Sequence, residues 1–435
     1  MQKKTIAVLL SILFMGAGQL YNRQYLKGLL FLFIHAAGIY SMLQYLQDYL
    51  RGLITLGVQP SAMVKVGKLT KMVEGDHSIF MMINGLVALL ALILYLFLYG
   101  LNIRDAWLVG RSRDQGERPH HFIESLREIN RKHFAYMVLA LPAVAILFLT
   151  ILPIIFSVLL AFTNYADPIL PPANLVDWVG FDNFVKMVNL KVWSSTFGGV
   201  LTWTLTWAVI ATFTTYVGGV LVAVLIQQPG IRFKKLWRTV LIVPFAIPSM
   251  ISLLVMRNMF NNQFGPINGY LRAIGLEGIP WLTDPFWAKV TVILANMWLG
   301  IPVTMILAIG VLTTIPKDMY EAAEVDGAGS VQKFRMITLP MVLFATAPIV
   351  IMQFAGNINS FNVIYLLTSG DPVNSNYQYA GHTDLLVTWL YKLALNQSQY
   401  SFASVIGIVI FLLVASFSIW SYRRTRSYKE EDMIA

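Results

Sequence analysis

The chain reads as an all-α, polytopic membrane protein with eight transmembrane helices plus a short N-terminal re-entrant or interfacial helix. Three observations carry that reading. Hydrophobic residues make up 57% of the 435 positions and charged residues only 12%, against about 45–50% and about 25% in a soluble domain. The mean hydropathy is +0.64, and the apolar residues gather into runs long enough to cross a hydrocarbon layer of about 30 Å, which takes about 20 residues. The 32 Lys and Arg against 22 Asp and Glu, a net +10, sit in short clusters between those runs, as the positive-inside rule places them.

The same numbers exclude other classes. A soluble enzyme, a nucleic-acid-binding protein and a disordered chain would each need far more polar surface. With no cysteine there is no disulfide framework, thiolate metal site or thiol nucleophile.

The first apolar stretch, Ile6 to Leu20, is short and holds Gly16 and Gly18. Lys3 and Lys4 ahead of it resemble the start of a signal peptide, but no good A-x-A site follows, and Arg23 and Lys27 come too soon. A re-entrant or interfacial helix is the better reading. Spans follow at about 28–46, 79–101, 137–163, 198–226, 239–256, 290–315, 341–357 and 403–421, and from 79 onward their cores contain no Asp, Glu, Lys or Arg.

Loop charge orients them. Residues 102–134 carry Arg104, Arg111, Arg113, Arg118, Arg127, Arg131 and Lys132; the loop after Ile226 carries Arg232, Lys234, Lys235 and Arg238; the tail carries Arg423, Arg424, Arg426 and Lys429. Placing these loops in the cytoplasm puts 164–197, 258–289 and 358–402 outside, and 316–340 and the C-terminus inside. The loop 47–78 then falls outside although it holds Arg51, Lys65, Lys68 and Lys71. Four segments are expected: an N-terminal membrane segment (1–101), a basic cytoplasmic linker (102–134), a six-span core (135–421) and a cytoplasmic tail (422–435). The outer loops 164–197 and 358–402 could each form a small cap.

The segment 316–340 is the most informative. Pro316 suits a helix start, and Asp318 and Glu321 complement the positive end of the helix dipole. Ala322 and Ala323 form a small-residue face that another surface can approach closely. Gly327 and Gly329 permit a sharp turn, Val331 to Thr338 reads as a second short helix, and Leu339-Pro340 re-enters the membrane. A bare connector needs about four to six residues; a longer protrusion with an alanine face suits docking.

The pattern Glu321-Ala-Ala-x-x-Asp326-Gly327-Ala328, followed by Phe334, Ile337 and Leu339-Pro340, resembles the EAA motif of binding-protein-dependent ABC importer permeases. The resemblance covers roughly 135–435 and is strongest to the MalF-like subunit of maltose and maltodextrin importers. It is carried also by Val243-Pro-Phe-Ala-Ile-Pro-Ser249, Phe260 to Asn268, Asn296-Met-Trp-Leu-Gly-Ile-Pro302, Gln353 to Pro372 and Ala380 to Leu386. The chain departs from that subunit in lacking a large outer insert domain after its third span, and its N-terminal third matches less well. The resemblance implies a six-helix type I importer core whose EAA loop, Glu321, Ala322, Ala323, Asp326, Gly327 and Ala328, docks into a cleft of an ATP-binding subunit.

Polar side chains in spans usually face the bundle interior, and three spans have them grouped. One holds Ser249 beside Pro244 and Pro248, which can break the helix. Another holds Asn296 and Gly300, one turn apart. The third holds Gln353, Asn357 and Ser360 at a helical spacing, with Asn359 and Asn362. Amides and hydroxyls donate and accept, which suits sugar hydroxyls, and aromatic faces such as Trp298 or Phe245 suit sugar rings. The plain alternative is that these amides only hold helices together. The resemblance implies that Phe245, Ser249, Asn296, Leu299, Gly300, Gln353, Asn357 and Ser360 line a midmembrane sugar site. Phe245 stands where the relative has tyrosine, and Gln353 and Ser360 exchange one polar type for another, so chain-length or linkage preference can differ. His35 reads as a helix-packing residue rather than a proton relay, and His382 as a solvated loop residue.

The expected function is therefore the permease subunit of an ATP-driven oligosaccharide importer, with maltodextrins first and galacto-oligosaccharides the nearest competitor. There is no G-x-x-x-x-G-K-[ST] loop, so ATP and Mg are expected on a partner ATPase, with no cofactor bound by this chain and no catalytic residue. The expected partners are a second, similar permease, ATP-binding subunits, an extracellular sugar-binding protein, the oligosaccharide and membrane lipid, but no nucleic acid. An ion-coupled secondary transporter is the competing class; the spans lack the carboxylates of a proton relay, while sodium coupling through carbonyls and hydroxyls is open to this composition. An intramembrane enzyme finds no paired carboxylates, H-E-x-x-H or buried Ser/His/Asp set.

Overall fold

A computed structural model of the chain describes residues 2–423 apart from 67, 68, 120, 121, 123, 125, 126, 128, 129, 132, 133 and 229. Lys68 and Lys132, and Arg424, Arg426 and Lys429 of the expected tail, lie outside the described residues. Seven helices among them are long and apolar enough to cross a membrane, and an eighth candidate is a pair bent by 90°. The chain divides into two compact units, Met1–Gly180 and Phe181–Ala435.

In the first unit, α1 (Lys3–Leu13) and α2 (Ala17–Tyr21) precede α3 (Tyr25–Thr55), the hairpin β1 (Ala62–Val66) and β2 (Leu69–Val73), α4 (Ser78–Asp114) and α5 (Phe134–Leu160). Helix α1 runs back along the C-terminal part of α4: the Lys3 amide donates to Asp114 Oδ1 at 2.8 Å, and Tyr99 Oη donates to the Ile12 carbonyl at 2.8 Å. The chain reverses at Gly16, whose φ of +95° puts it in the left-handed region and whose missing Cβ would run into the Gly28 carbonyl and Leu32 backbone. Polar groups of α4 explain the docking. Gln19 Nε2 donates to the Asn102 carbonyl (2.9 Å) and to Asp105 (3.1 Å), and Asn22 Nδ2 donates to the Ala106 carbonyl (3.0 Å).

The expected linker begins as helix. Residues 102–114 continue the second span as helix, because Asn102, Asp105 and Arg113 find partners on the N-terminal hairpin, and Arg111 and Arg113 suit the negative end of the helix dipole. His35 is a packing residue: its Nδ1 lies 2.8 Å from Tyr95 Oη, and the Phe14 ring meets its edge at 6.0 Å. At the other end of α4, Asp76 holds the loop before it. The Val58 and Gln59 amides donate to Asp76 Oδ2 at 2.7 and 3.0 Å, and these bonds hold the carboxyl below the usual carboxylate range.

The second unit contains α6 (Asp182–Asn189), α7 (Lys191–Gln227), α8 (Lys234–Ala246), α9 (Ser249–Met259), α10 (Pro266–Ala273), α11 (Pro285–Leu312), α12 (Lys317–Val325), α13 (Ser330–Ile358), α14 (Phe361–Leu367), α15 (Leu386–Tyr391) and α16 (Tyr400–Tyr422). Helix α7 is the axis. Its buried stripe Thr204, Ala208, Ala211, Thr215 and Gly219 repeats every three or four residues, the small-residue seam by which membrane helices approach closely. A Cβ on Gly300 of α11 would come within 2.6 Å of Thr215 Cγ2, and one on Gly219 within 2.9 Å of the Met305 backbone nitrogen. Trp203, Trp207, Leu253, Val292 and Leu367 pack one core around this seam, and Tyr216, Val220, Met305, Ala308 and Val342 another.

The break that Pro244 and Pro248 allow is present, and one expectation about an element changes. The fifth span is broken into α8 and α9 at Ile247-Pro248, because Pro248 has no N–H to give and its ring clashes with the carbonyl one turn back. The expected separate helix over Val331 to Thr338 is instead the first part of α13, which runs unbroken from Ser330 to Ile358. A π-turn at Phe334–Thr338 lets Pro340 enter without ending the helix.

Candidate functional site

The grouped polar residues come from α13, α11 and the α8–α9 break. From α13, Gln353 Nε2 donates to Thr215 Oγ1 at 2.7 Å and Asn357 Nδ2 donates to Thr212 Oγ1 at 2.9 Å. Trp207 Nε1 donates to the Asn357 carbonyl at 3.1 Å, which clamps the end of α13 to α7. One N–H of each amide is thus engaged between helices, as the plain alternative expects, while Gln353 remains only half-buried. The expected stripe also shortens. Helix α13 ends at Ile358, and the Ser360 amide bonds back to the Asn357 carbonyl at 3.2 Å, so Ser360 sits in the break before α14 rather than on the helical face of Gln353 and Asn357.

On α11, Asn296 is 8% exposed and makes no side-chain hydrogen bond among the described residues. Its amide keeps both donor and acceptor capacity, so Asn296 is the group in this region with hydrogen-bonding capacity to offer. Gly300, one turn on, is the point of close approach to Thr215, and Leu299 is half-buried beside the Trp203–Trp207 core. Phe245 and Ser249 flank the α8–α9 break, and both are exposed, Phe245 at 60%. The structure therefore sets Gln353 and Asn357 on Thr215 and Thr212 and Gly300 against Thr215, with Asn296 one turn from Gly300, and leaves Phe245 and Ser249 uncovered at a hinge. Thr212, Thr215 and Trp207 are partners that sequence reading did not single out. The signal was present as a run of Thr, Ala and Gly at helical spacing within an apolar span.

The second candidate region is the hairpin between α11 and α13. Pro316 opens α12, Asp318 lies in its first turn, and no α12 residue is buried. Gly327 turns the chain with φ +78°. Lys333 pairs with Glu324, and Tyr320 Oη lies 2.9 Å from Thr338 Oγ1, which ties α12 to the foot of α13. Glu321, Ala322, Asp326 and Gly327 are exposed, Ala323 and Ala328 half-buried, and Val325 is 89% exposed at the tip.

A third cluster braces the loop ahead of α15. Asp384 is fully buried; Lys392 Nζ lies 2.6 Å from its Oδ2, the Gly381 amide donates to the same oxygen at 2.7 Å, and Thr388 Oγ1 donates to Oδ1 at 2.9 Å. Burial pushes this carboxyl up, and the Lys392 ammonium works against it. His382 is half-buried rather than solvated. Burial first, and the Lys289 charge second, lower its pKa below the ordinary imidazole value.

Lipid-length helices around a seam of amides and hydroxyls, with a braced and uncovered hairpin between two spans, define a helical membrane permease. The chain belongs to the family of binding-protein-dependent transport system inner membrane components, which matches residues 215–427. It is 39% identical to the galactooligosaccharides transport system permease protein GanP of Bacillus subtilis (strain 168), over 99% of this chain and 100% of that protein. It is 37% identical to the maltodextrin transport system permease protein MalC of Streptococcus pneumoniae, over 99% and 98%. Its fold is shared with a bacterial ABC transporter involved in the import of the acidic polysaccharide alginate, with a TM-score of 0.55 at 24% identity over 69% of this chain and 98% of that one. The chain is accordingly a transport permease of ABC importer type and not an enzyme in its own right.

Proposed function

We propose that this permease conducts neutral oligosaccharides, maltodextrins first, and that a partner ATPase drives it through the α12 hairpin. The single observation that supports this best is the polar seam: Asn296, Gln353 and Asn357 meet around α7 with Asn296 unpartnered, in spans whose cores hold no charged residue. Hydroxyl-rich, uncharged cargo matches such groups, and a proton-coupled transporter would need carboxylates or histidines there. On this reading Phe245, Ser249, Leu299, Gly300 and Ser360 complete the lining as the α8–α9 hinge moves. Galacto-oligosaccharides are the second reading, favoured by the 39% identity to GanP.

The hairpin residues Glu321, Ala322, Ala323, Asp326, Gly327 and Ala328 engage the ATP-binding subunit, which holds ATP and Mg; this chain binds no cofactor. The hairpin and the C-terminus lie on the cytoplasmic side, where the basic loops belong. A second, similar permease completes the conduit, and a sugar-loaded binding protein engages the outer face. Closure of the ATPase and arrival of the binding protein each favour one orientation of the bundle, a coupling between two sites. Deleting Glu321–Gly327 abolishes ATP-driven uptake of labelled maltotriose while membrane insertion persists; normal uptake by that variant refutes the coupling role. Uptake assays with maltotriose and with galactobiose in matched cells decide between the two sugars.

A further inference from the structure

We propose that the start of α8, residues 231–240, is a binding site for an anionic phospholipid headgroup, one that anchors the hinge helix at the membrane surface. Arg232, Lys234, Lys235 and Arg238 fall within seven positions, and the sequence has no Asp or Glu between Asp182 and Glu277 to neutralise them. Among the described residues Arg232, Lys235 and Arg238 enter no ion pair. Arg238 is half-buried, its Nε has no hydrogen-bond partner, and its guanidinium charge is unanswered within the chain, the state that an oxyanion satisfies best. Lys234 serves a different purpose: its Nζ donates to the Gln227 carbonyl at 2.9 Å and closes the loop.

The same segment displays an apolar face. Phe233 has a φ of +57° and is 77% exposed; Trp237, one turn on, is 51% exposed, with Leu236 and Val240 beside it. Cations flanked by exposed aromatics at the entry to a span are the chemistry of a headgroup-level anchor. A free phosphate would satisfy the cations but leave Phe233 and Trp237 uncovered, whereas a phospholipid supplies both a phosphodiester and an acyl chain. The anchor matters because α8 is a 13-residue rod, about 20 Å long, with Phe245 at its far end and the break at Ile247-Pro248 just beyond. The site rests on the permease reading only for its place at the membrane.

The test is lipid binding by the purified, assembled transporter, counted by native mass spectrometry during titration with dioleoylphosphatidylglycerol or dioleoylphosphatidylcholine; it requires no transport. The intact transporter should prefer phosphatidylglycerol, and the preference should fall about fivefold for each charge lost in Arg232→Gln, Lys235→Gln and Arg238→Gln. Arg232→Lys/Lys235→Arg should retain it, and Phe233→Ala/Trp237→Ala should weaken binding of both lipids. An unchanged preference in the triple glutamine variant overturns the site. So does full competition by inorganic phosphate at matched ionic strength, which would mark a free-anion site. Loss of the ATP-binding subunit from the triple variant, with lipid preference intact, overturns it in favour of a protein contact.

Discussion

Asn357 on α13 donates to Thr212 on α7 at 2.9 Å, and one turn away Gln353 repeats the contact with Thr215 at 2.7 Å. These two rungs place an amide-bearing helix against the small-residue seam that also receives Gly300. Removing either end of a rung tests whether the amides serve packing alone. Thr212→Val should cost about 0.6–2 kcal/mol of stability, the range for interhelical hydrogen bonds in membranes, and leave sugar uptake close to normal. Asn357→Leu should cost a similar amount and reduce uptake at least tenfold. Thermal unfolding of the detergent-solubilised transporter and labelled-maltotriose uptake measure the two effects; equal uptake in both variants would reduce the amides to glue.

The hairpin turn depends on Gly327, whose φ of +78° disfavours any side chain. Gly327→Val should strain the turn by about 1–2 kcal/mol and tilt the exposed Glu321–Ala322 face. ATP hydrolysis stimulated by sugar-loaded binding protein should fall strongly in proteoliposomes, with unstimulated hydrolysis and membrane insertion unchanged. Preserved stimulation would show that the turn's conformation is irrelevant to coupling.

Asp384 has no exposure to solvent, and Lys392 is its counter-ion at 2.6 Å. Lys392→Met strands the buried carboxylate and should destabilise the fold by about 3–5 kcal/mol. Asp384→Asn/Lys392→Met, with no charge to strand, should recover much of that loss. A double variant no more stable than the single one would place the damage in lost lysine packing instead.

Asp76 gives the pH dependence. Two backbone amides hold its carboxyl below the model-peptide value of 3.8, so the folded state binds the proton less readily than the unfolded one. The stabilisation is therefore complete above about pH 5 and is lost as pH falls through 3.8 toward the lower folded value. Exchange protection at the Val58 and Gln59 amides, corrected for intrinsic rates, should be flat from neutral pH to about pH 5 and decline below about 4. In Asp76→Asn it should be independent of pH; an unchanged acid decline in that variant would assign it to another group.

Much was legible from composition and spacing. The apolar runs, the helix opening at Pro316, the turn at Gly327 and the break beside Pro248 all follow from local chemistry: hydrocarbon length, a ring without an N–H, a residue without a Cβ. The span limits were read short, because α4 continues to Asp114 and α3 to Thr55 on residues whose polarity looked like loop. In α4 such polar side chains are satisfied by segments far away in the chain: Asn102 Oδ1 accepts from the Gly16 amide and Asp105 from Gln19 and Lys27.

By itself, the sequence determined that this protein is a bundle of membrane helices with basic loops and an acidic-alanine hairpin, since those properties depend on residue type and near neighbours. Only the tertiary structure decided which polar residues are already spent. Asn296, Gln353 and Asn357 look alike in sequence, yet Gln353 and Asn357 find Thr215 and Thr212 across a helix interface and Asn296 does not. Hydrogen bonds between residues more than a hundred positions apart are set by how helices pack, and no local pattern encodes them.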